Sequence, residues 1–128
     1  MNVIVNNRKI EPLANLRFAQ LSGTDLSGVD LSGADFHRAT CFRVDLSNAM
    51  LVGAKLTSAK LHYANLFSAD LTNADLSEAN LTSANLANAN LTGANLSNAK
   101  LRDAFLTGAN LTCVILKGAT MPDGSIHE

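Results

Sequence analysis

From Leu16 to Leu116 every fifth residue is Leu, with two exceptions, Phe36 and Cys41. Two places before each of these positions, from Ala14 to Ala119, stands Ala, Val or Thr, and most often Ala. The register never slips by one residue across this span. A period of five fits neither regular element, because a helix repeats its apolar residues every 3.6 positions and a strand every two. It fits a chain of short extended segments joined by corners. Side chains alternate along extended chain, so the Leu and the small residue two places earlier share one side. The residue between them points away, and it is Asp or Asn in most units. After the Leu come Ser or Thr, typically, and then Gly, Asn or Ser. Gly and Asn tolerate the positive φ that a type II turn requires.

Regular corners close a coil, and a coil alone leaves its backbone polar groups unpaired. Stacked coils pair them as a parallel sheet does, at about 4.8 Å per layer. Leu then stacks on Leu inside, Ala fills the narrower space, and identical layers call for identical residues. Units such as Ala34-Asp35-Phe36, Ala69-Asp70-Leu71 and Ala94-Asn95-Leu96 carry the A-(D/N)-L-x-x pattern. In this the chain resembles the pentapeptide-repeat proteins, over roughly residues 14–121, and in particular cyanobacterial members without an assigned role, which share its Met-Pro-Asp-Gly ending. The resemblance implies an all-β fold, a right-handed quadrilateral β-helix with four units per coil. The coils would then run 14–33, 34–53, 54–73, 74–93 and 94–113, with a partial coil to about 121. The rod would be about 25 Å long at the sheet spacing.

The ends of such a rod expose strand edges, which invite aggregation. Residues 1–13 break the pattern: Val3-Ile4-Val5, Asn6-Asn7 and Lys9-Ile10 read as a small strand and turn before Pro12, an N-terminal cap. At the other end Met121 holds an inward position, and Pro122-Asp123-Gly124 stops the ladder, leaving 122–128 as a tail. Several corners carry residues that disfavour positive φ: Phe18, Arg38, Arg43, Tyr63, Glu78 and Asp103. Some of the first four are expected to use another turn type or a distorted corner.

At 128 residues the chain is one domain, and an apolar fraction of 47% allows a real core. No apolar run approaches the roughly 18 residues of a membrane span. The stretch Met1–Arg8 has neither the basic nor the apolar region of a signal peptide, so the expected location is cytoplasmic. Two cysteines do not make a disulfide framework.

Four units per coil turn positions twenty apart into columns. The faces are numbered here by their first inward residues: face 1 from Leu16, face 2 from Leu21, face 3 from Leu26 and face 4 from Leu31. Arg17, Arg38, Arg43, Lys55, Lys60, Lys100, Arg102 and Lys117 all fall on faces 1 and 2. Faces 3 and 4 carry Asp25, Asp30, Asp45 and Asp70 and no Lys or Arg, so the rod is electrically two-sided. Face 2 has the densest aromatic cluster. Phe42 and His62 are expected as layer neighbours, as are Arg43 and Tyr63, with Lys60 beside them. Aromatic and Arg side chains are enriched at interface hot spots, which makes these five the candidate contact patch. Met50 with Val52 on face 4 is a lesser candidate.

His37, His62 and His127 are scattered and neither cysteine joins them, so no metal site is expected. Cys41 should point inward as a small hydrophobe. Cys113 falls at a corner more than three layers away, too far for a disulfide. Catalytic carboxylates need a cleft that shifts their pKa, and a convex wall with a Leu-filled interior offers neither cleft nor pocket. The expectation is therefore a non-enzymatic scaffold or protein-interaction module, without cofactor or small-molecule substrate. The resemblance brings a second function class. Some family members imitate B-form DNA in size and charge and bind DNA gyrase. This chain departs from them, because it is near neutral at a net charge of −1 and lacks their C-terminal dimerisation elements. Direct nucleic-acid binding by the basic faces is not expected, since Asp35, Asp75, Glu78 and Asp103 offset them.

Overall fold

The computed structural model describes residues 3–128; Met1 and Asn2, the start of the expected cap, lie outside these. Residues 14–121 are short extended segments and turns repeating every five positions, without a helix. The outward residues pair in parallel with those twenty positions on, from Asn15 with Asp35 to Lys100 with Thr120. The result is a β-helix.

One unit shows why it holds. Leu66 N–H donates to the Asn85 carbonyl of the next layer at 2.8 Å, and Ser68 N–H to Ala87 at 3.0 Å. Asp70 N–H reaches back to Ala49 at 3.0 Å, and Ala69 N–H closes the turn on Leu66 at 3.0 Å. The fifth donor, Phe67 N–H, goes to Oδ1 of Asn65 at 3.1 Å. Every backbone N–H of the unit is thus engaged, as a buried ladder demands. This fifth bond is the physical reason for Asp or Asn at the outward position. Ser or Thr two places later adds a hydroxyl bond to the same oxygen, as Thr72 does to Asp70 at 2.6 Å.

The corners are uniform. Each corner residue from 13 to 118, glycine or not, has φ between 55° and 77°. The expected exceptions at Phe18, Arg38, Arg43 and Tyr63 do not occur, for their φ values are 59°, 55°, 56° and 61°. Positive φ costs a residue with a Cβ roughly 1–2 kcal/mol. The ladder overrides that cost, because it needs each corner N–H aimed at the next layer: Phe18 donates to His37 at 2.9 Å and Tyr63 to Thr82 at 2.9 Å.

The interior is apolar and mostly aliphatic, with no buried polar or charged residue among those described. Inward Leu from Leu16 to Leu101 are fully buried, and so are Phe36 and Cys41. Phe36 and Cys41 occupy successive inward positions, one larger than Leu and the other smaller. Their volumes offset each other, as close packing rewards.

The N-terminal end carries a hairpin, β1 (Val3–Val5) antiparallel to β2 (Arg8–Ile10), with Ile10 in the core and Val3 and Val5 against it. The Arg8 guanidinium donates to the carbonyls of Asn15 at 3.0 Å and Arg17 at 3.3 Å. One layer on, the corresponding carbonyls of Asp35 and His37 accept from the backbone N–H of Leu16 and Phe18. Arg8 therefore supplies with one side chain the two donors that a preceding coil would give. Asn6 does the same with its amide for the Gln20 carbonyl.

At the other end the chain does not simply trail away. It reverses at 122–124, Met121 N–H donates to Ser125 and His127 N–H to Ala119, and Ile126 pairs antiparallel with Thr120. Pro122 takes the place of the fifth N–H after Thr120, where the missing donor costs nothing. Beyond this return, Leu106, Leu111 and Leu116 have no ladder partner for their N–H among the described residues and are only half-buried.

Candidate contact face

The outward column of each face can be read against the fifth-donor rule. Face 3 presents Asp25, Asp45, Asn65, Asn85 and Phe105, and face 4 Asp30, Met50, Asp70, Asn90 and Asn110. Face 1 presents Asn15, Asp35, Lys55, Asp75, Asn95 and Ile115, two departures in six, and face 2 presents Gln20, Thr40, Lys60, Asn80, Lys100 and Thr120. Five of the six on face 2 lack the Asp or Asn that the unit uses, and the N–H groups of His62 and Arg102 accordingly have no partner among the described residues. Departure from a structural rule along one face is where contact function is to be sought. The signal is legible in the sequence once positions are sorted by twenty, but sorting the charges and aromatics alone passes over it.

The corner at the far side of face 2 holds the aromatic cluster. Phe42 and His62 lie 4.7 Å apart by ring centroids, and Phe42 and Tyr63 meet edge to face at 5.7 Å. The Arg43 guanidinium lies over both rings, 5.1 Å from the Phe42 centroid and 5.0 Å from that of Tyr63. Such cation–π contacts hold the positive corner residue flat on its neighbours. Tyr63 is half exposed, whereas His62 packs against Phe42 and its Nδ1 is buried without a hydrogen-bond partner among the described residues. Four of the five candidate residues are therefore one cluster, Phe42, Arg43, His62 and Tyr63.

Lys60 stands apart from that cluster, on the flat of face 2. It lines a surface groove of about 410 Å³ with Gln20, Thr40 and the nearer corner residues Phe18, Arg38 and Ser58. The groove corrects the expectation of a wall without a cleft.

The acidic candidates are occupied. Asp25 accepts the Ser27 hydroxyl at 2.6 Å and N–H at 3.0 Å, and Asp45 does the same with Ser47. Asp30 accepts Ser32 N–H at 3.0 Å, and Asp70 accepts Thr72 N–H at 3.1 Å. The hydroxyl and backbone donors hold the Asp25 and Asp30 carboxyls below the usual carboxylate range. Asp25 and Asp45 do stack in one column. Among the described residues no three His, Cys, Asp or Glu side chains gather as metal ligands would. Both cysteines are free, and burial pushes the Cys41 thiol up to about 12. No helix is long and apolar enough to cross a membrane.

Stacked five-residue units, hydrogen-bonded layer to layer around an aliphatic core, define a repeat protein of the β-helix class. The family model for pentapeptide repeats matches in eight copies, over residues 14–49, 39–77, 59–98 and 89–123, and the chain belongs to the pentapeptide-repeat family. Among solved structures it is similar to the pentapeptide repeat protein Rfr23 of the cyanobacterium Cyanothece 51142. The identity is 45%, over 78% of this chain and 65% of that one, with a TM-score of 0.47. HetL of the cyanobacterium Nostoc, described as involved in heterocyst differentiation regulation, is 28% identical over 88% of this chain and 83% of its own, with a TM-score of 0.40. A trypsin-treated form of QnrB1, a plasmid-mediated fluoroquinolone resistance protein, is 22% identical over 84% of this chain and 52% of its own, with a TM-score of 0.76. None of the curated protein sequences matches the chain.

Proposed function

We propose that the protein is a non-enzymatic interaction module that uses face 2 to hold a protein partner in the cytoplasm. The observation that carries this reading is the outward column of face 2, where the residues that complete the backbone ladder give way at five of six positions. The Phe42–Arg43–His62–Tyr63 cluster at the edge of the column has the composition of an interface centre. The carboxylates of faces 3 and 4 are tied into turns, which leaves them poor candidates for acid–base work. In this reading the coil is right-handed and quadrilateral, with about five turns over 14–121, residues 1–13 as cap and 122–128 as tail. The pairing of positions twenty apart and the Arg8 contacts support it.

The test is affinity capture with wild type and a Phe42→Ser/Tyr63→Ser double variant, both checked by circular dichroism. A protein held by wild type, lost by the variant and shown to bind the purified chain directly is the expected result. Identical captures by both would remove face 2 from consideration. A second reading, a DNA-mimicking modulator of DNA gyrase, draws on the fold shared with a fluoroquinolone resistance protein. The net charge of −1 and the small number of acidic residues on faces 3 and 4 weaken it, and a supercoiling assay with no inhibition at micromolar protein is the expected outcome.

A further inference from the structure

The groove on face 2 has a chemistry of its own. It lies between two columns over three successive layers, Phe18, Arg38 and Ser58 at the corner and Gln20, Thr40 and Lys60 on the face. At the sheet spacing it is about 10 Å long. Its two cations have no carboxylate partner among the described residues, where the ion pairs are Lys9 with Glu11 and Arg17 with Asp35. The hydroxyls of Thr40 and Ser58 also make no hydrogen bond among the described residues, whereas those of Ser27, Ser47, Thr72 and their equivalents are spent on turns. Two cations, two hydroxyls and the Gln20 amide thus line one open space, with the half-exposed ring of Phe18 at its end.

Two unpaired cations, beside two hydroxyls and the Gln20 amide that can each donate, are complementary to an oxyanion. The ring beside them suits an apolar group next to that anion. We propose that this groove seats an acidic segment of a protein partner, with a carboxylate between Arg38 and Lys60 and a neighbouring apolar side chain on Phe18. A peptide fits better than an isolated anion for two reasons. The groove is open and elongated, not a closed pocket. Its Lys60 wall also belongs to the face whose opposite corner presents the Phe42–Tyr63 rings, so one segment crossing face 2 meets charge first and aromatic surface next. This inference rests on the reading of face 2 as a contact face and names the chemistry of what it contacts.

The experiment is fluorescence anisotropy with a fluorescein-labelled decapeptide of alternating Glu and Leu, at low salt and again at 0.5 M salt. Saturable binding is expected, weakened at least tenfold by Arg38→Gln and by Lys60→Gln, and unchanged by Lys100→Gln on the same face. High salt should weaken it too, because the groove is open to solvent. Each variant is exposed at its site, and a melting curve confirms its fold. Equal binding by wild type and both groove variants would overturn the proposal, as would equal binding of a Lys/Leu decapeptide. Full displacement by a few millimolar inorganic phosphate would also overturn it, by showing a seat for small anions. If the peptide fails while the Phe42→Ser/Tyr63→Ser variant still loses its captured partner, the contact face stands and the groove assignment alone falls.

Discussion

Gly53 and Gly93 hold the same corner position with φ of 67° and 71°, yet their surroundings differ. A Cβ at Gly53 would meet nothing within 4 Å, while one at Gly93 would run into Oδ1 of Asn73 in the adjacent layer. The same arrangement recurs where Gly108 faces Asn88 and Gly118 faces Asn98. Gly53→Ala should therefore cost only the strain of positive φ, about 1 kcal/mol, and Gly93→Ala more, because Asn73 must also rotate away. Thermal melts of the two variants check the order. From sequence these glycines are legible as turn residues; their vertical partners are visible only when the chain is stacked by twenty. Asp35 gives a second case. Burial pushes its carboxyl up, but His37 N–H, the Arg17 guanidinium at 3.2 Å and the charge of Lys55 outweigh burial and hold it below the usual carboxylate range. A group depressed in the folded state contributes its full stabilisation above the unfolded value and loses it as pH falls through the folded one. The melting temperature should hence fall on acidification below about pH 4, and less steeply in Asp35→Asn, which keeps the oxygen for His37 N–H but not the charge. Parallel pH series of the two proteins measure the difference.

At the scale of the element, the hairpin β1–β2 closes an edge that a sheet would otherwise leave open. Arg8 is its key residue, since two donors on one planar group match two carbonyls spaced as a ladder spaces them. Arg8→Met should destabilise the protein by about 1–2 kcal/mol and raise its tendency to aggregate. Arg8→Lys should recover less than half, because one ammonium cannot reproduce the fork. Denaturant melts and light scattering read the two effects. Val3-Ile4-Val5 and Asn6-Asn7 make the hairpin readable from sequence, but the role of Arg8 depends on where its side chain lands and is not. The tail was harder still. Pro122-Asp123-Gly124 does announce a turn, yet the return of Ile126 to Thr120 follows from open carbonyls and amides at the end of the coil, which no local pattern reports. The corners at Phe18, Arg38, Arg43 and Tyr63 mark the opposite failure. Local preference argued for exceptions there, and the cooperative ladder left no room for them.

For the molecule as a whole, stability is nearly a sum over layers, each contacting its neighbours. A mid-rod defect has no alternative packing to fall back on. Leu66→Asp places a charge in a fully buried column and should cost more than about 4 kcal/mol or abolish folding. Asn90→Ser, at an outward position, should cost less than about 1 kcal/mol, although it shortens the acceptor for Thr92. Soluble yield and melting temperature of the pair check the assignment of inside and outside. The period of five and the Leu columns make that assignment legible from sequence; the groove is not legible, because it depends on relative side-chain reach. The pairing of positions twenty apart has a genetic consequence. Duplication of a single Ala-x-Leu unit leaves the interior nearly unchanged, since most units offer it the same Leu and Ala. Outside, everything downstream advances by a quarter of a circuit. Lys60 would then neighbour Asp75 where it now neighbours Asn80, and an acidic patch could be dealt next to a basic one in a single event. Loss or gain of four units instead shortens or lengthens the rod and preserves each face. Lineages built this way can explore new surfaces by slippage at almost no thermodynamic risk, and point mutation becomes the slower of their two routes to a new partner.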